Sequence, residues 1–164
     1  MNVVLGDRSR FAAEIGGPGA LRRVDLWAAG KWLTCDDNMA YVPSFRHAVV
    51  DTAARLRSGE GPSLPFAGLS AVAAHRRLRD GDDQLHDGYR FMLWGPTTDN
   101  VVAHLFRAGD RLVITLEFWR EDHLLDHPED ADAIFVVDIP AEEFTGILDG
   151  IAAELDAGRS GSRS

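Results

Sequence analysis

Two histidines four residues apart are the first place in this chain to look for chemistry. Asp122-His123 and Asp126-His127 put their imidazoles at i, i+4, a spacing that on a helix brings both rings to one face and can serve zinc. The glutamate of a zinc-protease motif is absent, Pro128 follows directly and acidic residues flank the pair. The stretch therefore reads as a solvated acidic loop. His104 is the second candidate. It sits in the apolar run Val101–Arg107, where burial either tunes a general base or surrounds a hydrogen-bonded core histidine. Cys35-Asp-Asp-Asn38 is the third. Its adjacent carboxylates point to different sides, so they make no acid/base dyad unless the loop folds back. The D-x-D-x-D-G spacing of a calcium loop is missing.

The remaining histidines, His47 and His75 in helical stretches and His86 in a loop, stand beside no nucleophile in a recognisable context. There is no G-x-S-x-G, P-loop or dinucleotide-binding G-x-G-x-x-G, and Gly16-Gly-Pro-Gly19 is turn material. These readings predict no cofactor and no metal. Two classes of function remain: a non-enzymatic binding protein, or a small hydrolase or metalloenzyme using His104 or the His123/His127 pair.

The elements that must position these residues centre on Gly88–Trp119. Three antiparallel strands are predicted there, at 88–94, 101–107 and 111–119, joined by loops at 95–100 and 108–110 that are rich in Gly, Pro, Asn and Asp. The third strand alternates, with Leu112, Ile114, Leu116 and Phe118 on one face and Arg111, Thr115 and Glu117 on the other. With Ala108-Gly-Asp110 as the turn, His104 is expected opposite Ile114. Upstream, Val3–Leu5 is short and apolar, Phe11–Ile15 reads as a strand, and 21–28 with 31–35 as a hairpin turning at Ala29-Gly30, across which Trp27 and Trp32 can meet.

Helices are predicted at 44–57 with Ser44 as N-cap, at 67–79 and at 141–156 with Gly158 just past its end. Ala133–Ile139 is apolar on both faces and reads as an inner strand. The fold class is α+β: a mainly antiparallel sheet with a β-meander core and about three helices packed mainly on one face. One domain is expected over 1–158, followed by a flexible tail at 159–164.

The chain has 164 residues, 45% of them hydrophobic, and a formal charge of −9 from 17 basic and 26 acidic residues. That charge argues against nucleic-acid binding and suits a basic protein partner. The single cysteine points away from a disulfide scaffold. The amino end lacks a basic n-region, and no apolar run approaches the ~20 residues of a membrane helix. A cytoplasmic protein that does not enter membranes is expected. The partner surface is expected in acidic loops around an aromatic centre: Asp36, Asp37, Trp94, Glu117, Trp119, Glu121 and Asp122.

The opening Gly6-Asp-Arg-Ser-Arg-Phe-Ala-Ala-Glu14 is followed by a Trp-containing hairpin, a two-helix insert, a β-meander and a terminal helix. This order resembles small immunity proteins of bacterial polymorphic-toxin systems, the Imm42-like group above all. The resemblance implies a protein that binds and neutralises a toxin, with no catalysis and no cofactor. It transfers no functional residue.

Overall fold

A computed structural model describes residues 2–81 and 83–160, and among these described residues there are nine strands, five α-helices and two single-turn 3-10 helices. All strand pairings are antiparallel. They fall into two sheets where a single one was expected. The first contains β1 (Val3–Asp7), β2 (Phe11–Ile15), β3 (Leu21–Ala28), β4 (Lys31–Trp32) and β5 (Met39–Tyr41). The eight-residue β3 pairs with β5 at its start and β4 at its end. Trp27 and Trp32 are cross-strand partners, their rings stacked at 5.9 Å.

The second sheet has the order β6 (Arg90–Phe91), β7 (Val101–Ala108), β8 (Arg111–Phe118) and β9 (Phe135–Pro140). The alternation in β8 is borne out: Leu112, Ile114, Leu116 and Phe118 all face the core. The strand expected at 88–94 is only two residues long. Helix α3 (Asp83–Tyr89) takes its first two residues, and Met92 adopts left-handed backbone (φ 61°), which ends the ladder. The strand expected to be internal, β9, lies at the sheet edge, with Val136 exposed.

The turn after β7 is also shorter than expected. Ala108 pairs with Arg111, leaving Gly109 and Asp110 as a two-residue loop with Gly109 at φ 62°, the conformation such tight hairpins demand. His104 therefore faces Thr115, not Ile114. It stands on the face away from the main core.

Helices α1 (Val42–Arg57) and α5 (Ala141–Ser160) pack against each other over the core that both sheets share. The apolar stripe of α1, Phe45, Val49, Ala53 and Leu56, is buried as its spacing predicts. Its N-cap is Tyr41, so Ser44 lies inside the first turn and donates to Tyr41 O. α2 (Ala71–Asp80) is capped by Ser70, whose hydroxyl accepts from Ala73 N. Packed with α3, it covers the outer face of β7 and β8 through Ala74, Leu78 and Phe106. α4 (Glu121–Asp126) forms where a loop was expected.

α5 runs past Gly158 to Ser160, so Gly158 is not its stop; the rest of the expected tail, 161–164, lies outside the described residues. Gly158 has another role: a Cβ there would collide with the guanidinium of buried Arg22. That guanidinium donates to Gly16 O (2.6 Å), Gly17 O (2.9 Å) and Glu154 O (2.9 Å). Among the described residues, no helix is long and apolar enough to cross a membrane.

Candidate functional site

The corner between α4 and the loop after β4 brings together two of the three chemistry-bearing stretches. α4 carries His123 inward, where its ring stacks on Phe118 at 4.0 Å. His123 Nε2 lies 2.8 Å from Asp130 Oδ2, and Asp130 also takes the Lys31 ammonium at 2.8 Å. Burial pulls the Asp130 carboxyl up, but the hydrogen bonds and charges of Lys31 and His123 outweigh it and hold the group below the usual carboxylate range. On its other edge, His123 Nδ1 lies 3.1 Å from Asp36 Oδ2 and 3.5 Å from Cys35 Sγ. Burial first, and the neighbouring Asp36 charge second, push the Cys35 thiol up to about 11. The Asn100 amide reaches the same sulfur at 3.7 Å.

His127 meets this group only through its ring, which packs against that of His123 at 4.8 Å. It is exposed at the end of α4, and its Nδ1 lies 3.5 Å from Glu129 Oε1. Both nitrogens of His123 are already engaged, so the i, i+4 pair does not converge on a shared ligand position.

The second polar cluster lies under α2, with His75, His104 and Thr115 fully buried and His86 and Arg79 half-buried at its ends. His104 Nδ1 meets His75 Nδ1 at 2.8 Å, and His104 Nε2 meets His86 Nδ1 at 3.0 Å. His75 continues to Thr115 Oγ1 (2.7 Å) and to Glu117 Oε1 (3.2 Å). Glu117 is closed off by an ion pair with Arg79. Burial raises the Glu117 carboxyl, but the His75 hydrogen bond and the Arg79 charge together bring it below its ordinary value. Burial, then the charges of His75, His86 and Arg90, drive His104 down to about 3. The imidazoles form a chain and do not converge on one point. This is the satisfied core histidine, not an exposed base.

The residues expected to bind a partner separate into two groups. Trp94 is 3% exposed, with its ring against Phe11, Phe45 and Phe91 and its Nε1 donating to Thr52 Oγ1 at 3.0 Å. Glu117 is buried in the histidine chain. Neither presents surface to another molecule, so these two do not belong to the partner surface expected of them. Trp119 is 54% exposed, its Nε1 donating to Asp99 O at 2.7 Å. Glu121 and Asp122 are exposed in the first turn of α4, and Leu125 of that helix is 73% exposed. Asp36 reaches α4 through His123, and the neighbouring exposed Asp37 accepts from Met39 N at 3.2 Å.

The partners of His123 escape a reading of the sequence because Cys35 and Asp36 are 88 and 87 residues away from it. The partners of His104 escape it for the same reason, although Thr115 and Glu117 do interrupt an otherwise apolar strand.

No family model matches the chain, and no curated protein is significantly similar to it in sequence. Among solved structures, the crystal structure of CdiI from Burkholderia dolosa AUO158 is similar in fold, with a TM-score of 0.55 at 12% sequence identity. The likeness covers 93% of this chain and 99% of that one. At that identity the likeness is one of fold. It agrees with the resemblance to immunity proteins that the order of elements suggested.

Proposed function

We propose that this protein is an immunity protein, which binds a toxin in the cytoplasm and neutralises it by occupying it. The observation that supports this reading is the fold shared with the immunity protein CdiI over nearly the full length of both chains. Neutralisation by occupation needs a shaped and charged surface, with no reacting atoms. The residues that suit it are the exposed Trp119 and Leu125 as apolar anchors, with the exposed carboxylates Asp36, Asp37, Glu121 and Asp122 of α4 and the loop after β4. Aromatic anchors of this kind supply most interface affinity. With the chain at a formal charge of −9, these carboxylates favour a basic partner, whose approach they accelerate.

The test is co-expression with a toxin domain encoded beside this gene. Rescue of growth, together with a 1:1 complex by size-exclusion chromatography and calorimetry, is the expected result. A toxin domain that kills equally with or without this protein, and forms no complex with it, overturns the proposal.

A further inference from the structure

His123 presents its two ring nitrogens to different partners. Nε2 lies 2.8 Å from Asp130 Oδ2, a carboxylate that Lys31 also holds. Nδ1 faces the other way, 3.1 Å from the Asp36 carboxylate and 3.5 Å from the Cys35 sulfur, so three different donor types meet at one point.

We propose that Cys35 Sγ, Asp36 Oδ2 and His123 Nδ1 form a binding site for one divalent cation of the zinc class, with Asp130 orienting the histidine from behind. The three ligand atoms lie within 4.8 Å of one another. For a tetrahedral ion with Zn–S ~2.3 Å and Zn–N and Zn–O ~2.0 Å, the edges are ~3.5 Å for S···N and ~3.3 Å for N···O. The observed 3.5 Å and 3.1 Å match those two edges, and the third, from Cys35 Sγ to the Asp36 carboxylate, closes within 4.8 Å.

The donor set is equally suited. A thiolate, an imidazole and a carboxylate together select zinc over magnesium or calcium, which prefer oxygen alone. The Asp130–His123 pair is the carboxylate–histidine–metal arrangement in which an outer carboxylate sets the tautomer and orients the ring. Coordination forms an S–metal bond as the Cys35 S–H bond breaks, and the proton passes to solvent. Three protein ligands leave the fourth position to water. Bound there, the ion would join the loop after β4 to α4, two segments that are remote in sequence. The site shares Asp36 with the proposed partner surface but does not rest on that reading, and its test needs no toxin.

The experiment uses the full chain, stripped with a chelator and titrated with Zn²⁺ and separately with Co²⁺. The expected results are one equivalent of zinc, a Co²⁺–thiolate charge-transfer band, and a rise in Tm of about 5–10 °C at free Zn²⁺ near 100 times Kd. Cys35→Ser and Asp36→Asn touch no core packing. Each should weaken zinc by more than the about 10–100-fold that loss of an outer-shell partner costs. Cys35→Ser should also abolish the charge-transfer band. Asp130→Asn should fall within that 10–100-fold range and keep the band. No stoichiometric zinc and no band in the parent chain overturns the proposal. Zinc binding that survives both Cys35→Ser and Asp36→Asn also overturns it, by placing the metal elsewhere.

Discussion

His75 and His104 meet Nδ1 to Nδ1 at 2.8 Å, so only one of the two facing nitrogens carries a proton. The chain runs through His86, His104, His75 and Glu117 to Arg79, and burial makes a second proton on His104 unfavourable. The folded protein holds His104 at about 3, whereas the unfolded chain takes a proton near ~6.5. A depressed pKa means that the unfolded state binds more protons below ~6.5. The contribution is complete above that pH and is lost as pH falls towards 3, by up to ~1.4 kcal/mol per pH unit. Urea unfolding between pH 7.5 and 5 should show stability declining, and His104→Gln should flatten the slope. Equal slopes for the two chains would refute this account.

Trp94 supports stability and nothing at the surface. Its ring lies among Phe11, Phe45 and Phe91, so Trp94→Ala combines a large cavity with the loss of several edge-on ring contacts. The cost should be about 3–5 kcal/mol in denaturant unfolding. A loss below about 1 kcal/mol would show that the site collapses or that the ring is not packed as described.

Arg22 and Gly158 act as a pair. The guanidinium satisfies three carbonyls and occupies the space beside Gly158, where a Cβ would collide with it. Arg22→Met leaves those carbonyls without their donor and should cost about 3 kcal/mol. Gly158→Ala should cost about 1–3 kcal/mol by overpacking. The two losses should be markedly less than additive in the double variant, because the clash needs the guanidinium. Strict additivity would mean that the two residues do not meet.

Trp119 should behave in the opposite way to Trp94. Trp119→Ala is expected to change stability by under about 0.5–1 kcal/mol, while weakening a toxin complex by about 2 kcal/mol or more through faster dissociation. Asp37→Asn and Asp122→Asn should slow association at low salt and have little effect at high salt. Surface plasmon resonance at two ionic strengths separates these outcomes. An unchanged off-rate for Trp119→Ala would move the contact surface elsewhere.

The helical stripes of α1 and α5 were legible because their period depends on neighbours three and four residues apart. The Trp27–Trp32 pair was legible because a tight turn joins the two. The placement of His104 was not. It depends on whether two or three residues make the turn after β7, and a one-residue change in register exchanges the two faces of a strand. α4 was hidden by its polar composition, since only His123 of its six residues is buried. The grouping of Cys35 and Asp36 with His123 and Asp130 arises from packing between segments far apart in sequence, which local patterns do not encode.

The stacked tryptophans have an optical consequence. Trp27 and Trp32 lie 15° from parallel at 5.9 Å, with the Arg8 guanidinium 4.4 Å from the Trp27 ring centre. Two indoles this close couple their electronic transitions, so the pair absorbs as a unit and gives a paired, opposite-signed ellipticity band that neither Trp94 nor Trp119 shares. That band reports the β3–β4 hairpin alone. Its melting can be followed separately from the tryptophan emission, to which all four rings contribute, so a hairpin that opens before the core would be visible without any added label.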